Sequence, residues 1–176
     1  TAYDGYLSLE IFNDQFRGGS PKSISIDGPR SLIYLMDQVR REEPEAAGRP
    51  EMPDRIAVSG VEFIEFAASG GEARELAGFF RGMGFAKSGR HVSKDVTLYR
   101  QGDVNLVINT EREGFAHSSY VVHGTSVCAL GLKVENAAAT VERARALGAE
   151  IFSQPVGPGE LTIPAIRGVG GGVIYF

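Results

Sequence analysis

One cysteine, Cys128, stands in 176 residues. It leaves no partner for an internal disulfide and fits a reducing cytoplasm. Histidine is scarce too: His91, His117 and His123 are all there are. No apolar run reaches the ~20 residues needed to span a bilayer, and no signal-peptide pattern opens the chain, so no membrane partner is expected. Positive charge is not in excess. The formal net charge is −4, and Arg90, Lys94, Arg100 and Lys133 are scattered rather than striped, which argues against nucleic acid as a partner. The first residue is Thr, not Met, so the chain is expected to be processed, tagged or cut from something longer.

The apolar content of 43% is that of an ordinary globular protein with one good core and an appendage. The clearest pattern runs from His91 to Asn109. Val96 and Leu98 alternate with Thr97 and Tyr99, and Val104, Leu106 and Ile108 alternate with Asn105 and Val107. Gln101-Gly102-Asp103 lies between the runs, so the spacing predicts an antiparallel hairpin. Upstream, residues 61–67 read as a strand. Ala73, Leu76, Ala77, Phe80 and Met83 follow helical spacing, with Gly84 as the stop and 85–90 as a further strand. The pattern repeats: a strand over 126–134, a helix capped by Asn136 that carries Ala137, Val141 and Ala144 and stops at Gly148, then strands over 150–154, 161–166 and 173–176. Two strand-helix-three-strand copies side by side predict an α+β fold whose sheets bend into a half-open barrel with the helices outside.

Ahead of this unit the pattern differs. Residues 6–12 read as a short strand and 13–28 as a loop. Leu32, Leu35, Met36 and Val39 form a helix stripe entered at Pro29, with Asp27 as cap and Arg40 and Arg41 in the last turn. Residues 42–55, with three prolines and many charges, read as a linker, partly extended. The expected organisation is 1–41, linker 42–55 and module 56–176. A lone strand and helix make no core, so this helix stripe is expected to lie on the half-barrel, to pair with another copy, or to be poorly ordered.

The words EFIEFA, MGF, SKDVTLYRQGDVNLVINTE, HGTSVCA, LGA and GPGELTIPAIRGVGG, in this order, resemble the amino-terminal module of bacterial 4-hydroxyphenylpyruvate dioxygenases, members of the vicinal oxygen chelate superfamily. YDGYLSLEIFNDQFR resembles the last barrel strand of 3-dehydroshikimate dehydratases, which are TIM barrels. The resemblance implies a piece spanning the junction of a fused protein. It implies no cofactor in this chain, Fe(II) in a second module, and a divalent metal in the barrel. Glu10 matches one metal-binding carboxylate of the dehydratases, its partner ligands being upstream. The implied partners are the second dioxygenase-like module and the barrel of the parent chain, with a homodimer as a further possibility.

A non-haem iron of this kind needs two His and a carboxylate on one face. The inward strand positions are matched to Phe66, Ala129 and Tyr175, none of which completes such a set, so the half-barrel is expected to be filled with side chains. Glu62 and Glu65 fall on opposite strand faces and cannot share one ion; Glu65 could point into the half-barrel beside a ligand from the second unit, or else lie at an edge or pair with an Arg. His117 and His123 are read on a solvent-like loop with Glu111 and Glu113, and Cys128 as an inert core thiol. Gly168-Val169-Gly170-Gly171-Gly172 lacks the Lys-Ser/Thr ending of a phosphate loop and leads into a strand, so it is read as a turn that sets the last strand's register. No catalytic residue is assigned. The first expectation is a metal-free structural half packing on an iron-bearing module. The alternatives are a small-ligand-binding module for an aromatic or carboxylate molecule, and a glyoxalase-type metal enzyme with its site shared across a dimer.

Overall fold

The computed structural model describes residues 5–48 and 51–176. They fall into two compact units: 1–55 with 142–149, and 56–141 with 150–176.

The larger unit holds one sheet of eight strands. In chain order its elements are β1 (Val58–Ala67), α4 (Gly70–Gly82), β2 (Ala86–Arg90), β3 (Val96–Gln101), β4 (Val104–Asn109), α5 (Gly114–His123), β5 (Ser126–Val134), β6 (Ile151–Phe152), β7 (Ala165–Arg167) and β8 (Val173–Tyr175). The spatial order is β2-β3-β4-β1-β5-β8-β7-β6. β1 lies parallel to β4, and β5 parallel to β8, while β1 and β5 pair antiparallel at the centre. Each half therefore places its first strand beside its last, as a duplicated unit must. The β3–β4 hairpin closes on Gln101 opposite Val104, with Gly102 at φ 56°. That left-handed conformation is what a two-residue hairpin turn asks of its first position.

The core has two parts. Phe80 of α4 packs on Tyr99, Leu106 and Ile108, with Ile64, Phe66 and Phe85 around them. Ala67, Cys128, Ala129, Ala165 and Val173 form the second part, flanked by Phe115, Phe152 and Tyr175. Met83, expected on the α4 stripe, is exposed instead. It sits at the C-cap, where the helix stops and Gly84 at φ 94° turns the chain. Gly131 lies opposite Phe63. A Cβ on Gly131 would stand 2.4 Å from that ring, so the glycine makes room for the phenyl group to lie across β5.

The smaller unit corrects three expectations. Residues 6–12 form no strand: an isolated strand has no ladder partner to satisfy its backbone. After α1 (Asp14–Arg17), α2 runs Pro21–Glu42, with Pro29 inside it rather than at its start. Ser20-Pro21 offers an equally good entry, and Asp27 forms an ion pair with Arg30 one turn on instead of capping. Finally, the segment expected to be a partly extended linker, 42–55, carries a short helix of its own, α3 (Pro44–Ala47). Arg41 ties the segment back, reaching Asp54 and the carbonyls of Met52 and Pro53.

α6 (Ala137–Ala146) is capped as expected, Ala139 N–H donating to Asn136 Oδ1 at 2.9 Å. Its end, in the smaller unit, meets α2. Arg30 donates to the carbonyls of Leu147 and Gly148, and Arg143 donates to Asp37 Oδ2 at 3.1 Å. Among the described residues, no helix is long and apolar enough to cross a membrane.

Candidate functional site

The register of the four central strands defines which side chains enter the cup of the larger unit. β1 contributes Phe63 and Glu65, and β4 Val107 and Asn109. β5 contributes Ala129 and Gly131, and β8 Val173 and Tyr175. Phe66 is not among them. Adjacent strand residues point to opposite faces, so with Glu65 inward the Phe66 ring lies on the other face, 5.4 Å from Phe80. The inward position on β1 belongs to Glu65, whereas Ala129 and Tyr175 stand where the spacing placed them.

The cup is not filled, contrary to the expectation. A cavity of about 400 Å³ lies between the sheet and residues 153–164, lined by Phe63, Glu65, Phe115, Phe152, Leu161 and Tyr175 among others. A wider, more open one of about 1130 Å³ shares Phe115 and Phe152 and adds Cys128, Arg167 and the 170–172 glycines. Phe115 of α5 and Phe152 of β6 meet edge to face at 5.3 Å and border both cavities. Arg167 stacks on both rings, its guanidinium 4.9 and 4.6 Å from their centroids.

Glu65 is the one carboxylate among the cup positions. Asn109 Nδ2 donates to its Oε1 at 2.7 Å, and Asn109 Oδ1 accepts from the Glu111 N–H at 3.0 Å. Burial raises the Glu65 carboxyl above its ordinary range, opposed by the Asn109 bond and the Lys94 charge. Burial also raises the Tyr175 hydroxyl, with Glu65 adding to it, and pushes the Cys128 thiol up to about 12. Cys128 is therefore a thiol, not a thiolate, at neutral pH.

The donor set does not fit a non-haem iron. One carboxylate, one amide and one phenol occupy the cup, with no imidazole among the eight positions. His91 at the rim accepts, through Nδ1, from the Ser93 and Lys94 N–H groups, and so shapes the β2–β3 turn. The segment with His117 and His123 is helix α5, not a loop. Six residues apart, they point about 120° away from each other, and His117 is half-buried while His123 is exposed. Glu62 is exposed, and Glu10 lies exposed in the segment without regular structure. Among the described residues, no three His, Cys, Asp or Glu side chains cluster as a metal site would require. The 168–172 run is a turn: Gly168 N–H donates to Gly172 O at 2.8 Å, and Gly170 and Gly171 take φ of 69° and 82°. It joins β7 to β8, with Arg167 opposite Val173.

Glu160, which the sequence did not single out, fastens residues 153–164. Its carboxylate accepts from the Ser93 hydroxyl and the Gly157 N–H, and pairs with Lys94 Nζ at 3.0 Å. These donors, Ser93 first, hold it at about 2, below the usual 4.5. A depressed carboxylate stabilises fully above the unfolded value and loses that contribution as pH falls through the folded one. Pepsin cleavage beside the exposed Leu161 is therefore expected to accelerate as pH drops from about 4.5 to about 2. Glu160→Gln should cleave fast across that whole window. Equal rates for the two chains at pH 4 would contradict the latch.

The sequence profile described as "Hydroxyphenylpyruvate dioxygenase, HPPD, N-terminal" matches residues 52–176. The chain is 41% identical to the 3-dehydroshikimate dehydratase of Pseudomonas aeruginosa over 99% of its own length and 28% of that protein's. It is 36% identical to the 4-hydroxyphenylpyruvate dioxygenase of the same organism over 74% of the chain and 37% of that protein. The chain thus spans less than a third of the dehydratase relative's length. A solved xylose isomerase-like TIM barrel/4-hydroxyphenylpyruvate dioxygenase fusion protein superposes with a TM-score of 0.85 at 40% identity, covering 99% of this chain and 29% of that one. Methylmalonyl-CoA epimerase from Mycobacterium tuberculosis shares the fold at 14% identity and a TM-score of 0.55, over 71% of this chain and 91% of the epimerase.

Proposed function

Because the chain belongs to the family of hydroxyphenylpyruvate dioxygenase amino-terminal domains, we propose that its role is to pack, as a metal-free half, against an iron-bearing second module and help shape that module's pocket. The observation that carries this reading is the composition of the cup. Its central strands have the order a metal-holding vicinal oxygen chelate protein uses, yet they offer one carboxylate and no imidazole.

A second feature supports packing on a neighbour. Val122 of α5 and Val127 of β5 are 72% and 54% exposed and border the same wide cavity, an apolar patch fit to be covered. In the same reading, 1–41 is the last strand and helix of a dehydratase-type TIM barrel, 42–55 the linker and 56–176 the module. Tyr6, Leu7, Leu9, Ile11 and Phe12 are exposed, as a barrel strand without its neighbours is. Glu10 then supplies one share of the barrel's divalent-metal site. The parent joins two activities, a 3-dehydroshikimate dehydratase and a dioxygenase-like half.

The test mixes this chain with the separately produced iron-bearing module of the fusion relative and follows sedimentation. A 1:1 complex that Val122→Asp and Val127→Asp together abolish is expected. Two species that never associate, with both modules folded, would refute the packing role.

A further inference from the structure

The geometry points to a ligand site in the 400 Å³ cavity beneath residues 153–164: it takes a small, flat, uncharged molecule that presents one N–H or O–H donor to Glu65. This inference does not depend on whether the module pairs with an iron-bearing one.

The size fits the range of small-molecule pockets, at its lower end. The walls select for flatness. Phe63 lies 5.8 Å from Tyr175, tilted by 41°, and Phe152 stands edge-on to Tyr175 at 6.4 Å. Touching rings tilted this way offer faces and edges to a further ring placed beside them. Phe63 stays in place because Gly131 has no Cβ to push it away.

The anchor is Glu65. Its Oε1 is taken by Asn109, and its other oxygen accepts no hydrogen bond from the described residues. Glu65 is half-buried and lines the cavity, so that oxygen is open to it and can accept from a ligand N–H or O–H. The cations nearest the cavity are already engaged. Lys94 pairs with Glu160, and Arg167 lies on Phe115 and Phe152 with Glu150 at 4.0 Å. An anionic ligand would therefore be desolvated there without a free counter-charge from either. Residues 153–164, fastened by Glu160 to Ser93, form the outer wall.

The probe is indole, and the chain is suited to it because it contains no tryptophan. Excited at the red edge of its absorption, indole dominates the emission, which shifts blue on leaving water. Titrating the full chain should give a saturable blue shift. 1-Methylindole, the same ring without the N–H, should bind about tenfold more weakly, the size expected for one hydrogen bond. Indole-3-carboxylate should show no saturable shift. In Glu65→Leu, indole and 1-methylindole should bind alike. The first comparison uses the unmodified chain, so it stands even where the variant fails to fold. No shift with indole at millimolar concentration, 1-methylindole binding as well as indole, or tighter binding of indole-3-carboxylate would each overturn the site.

Discussion

Asp37→Ala is expected to release α2 from residues 142–149, at a cost of about 3–5 kcal/mol. Asp37 is 3% exposed, and its Oδ2 is shared by Arg41 Nε at 2.9 Å and Arg143 Nη2 at 3.1 Å. The Arg143 side chain is itself only 7% exposed. Removing the carboxylate leaves the buried Arg143 guanidinium with only the Pro53 carbonyl, beside Arg41, which keeps Asp54 and two carbonyls. Such a broken set costs more than the intact one contributes, because the surviving charge has lost both water and counter-ion. The Arg41 bond leads in holding the Asp37 carboxyl below its usual 3.8, against the opposing effect of burial. The contribution is therefore whole above that pH and fades only as pH falls below it. Hydrogen exchange reads the outcome: α2 amides of the variant should exchange fast while those of β1 and β4 keep their protection. Unchanged exchange in α2 would contradict the account.

Phe80→Ala should cost the larger unit about 3–5 kcal/mol, the range for truncating a buried aromatic. Phe80 is 2% exposed and sits among three rings: Phe66 at 5.4 Å, Tyr99 at 5.6 Å and Phe85 at 6.1 Å. The first two contacts are edge-to-face, which adds to burial alone. Phe80 also links α4 to the β3–β4 hairpin, so the void left behind has walls from separate elements and collapses poorly. Urea unfolding should show a lower midpoint with an unchanged slope. A loss below about 1 kcal/mol would mean that the core repacks around the gap.

The parts of the fold visible in the sequence were those set by local chemistry. The β3–β4 hairpin announced itself through alternation around Gly102, and α6 through Asn136 before it and Gly148 after it. The duplication followed from comparing the two halves. What escaped depended on neighbours. Helix α5 looked like loop because Glu111, Arg112, Glu113, Gly114, His117, Ser118 and Ser119 are polar or helix-breaking. Yet Phe115, Ala116 and Tyr120 do recur at helical spacing, and that signal was there to be used. The start of α2 was placed at Pro29 because proline favours a first turn, but Pro21 competes for the same role. Residues 161–164 carry strand-like alternation and instead border the cavity, since β7 pairs only over 165–167. For the site, the sequence pointed to the right positions on β5 and β8, while on β1 it matched Phe66 to the inward ligand position and offered Glu65 only as an alternative. Along β1, Phe63 and Glu65 share one face and Ile64 and Phe66 the other, and nothing local says which of the two faces the cup. Asn109, Arg167 and Glu160 went unsuspected because their partners are 44, 52 and 67 positions away in the chain.

The central claim is that this cup has the strand arrangement of a metal-holding barrel without the ligands to hold iron. An anaerobic calorimetric titration of the full chain with Fe(II) tests it most directly. The account predicts only weak, non-saturating heats, identical in wild type and in Glu65→Gln. A stoichiometric, saturable binding event that Glu65→Gln removes would contradict it.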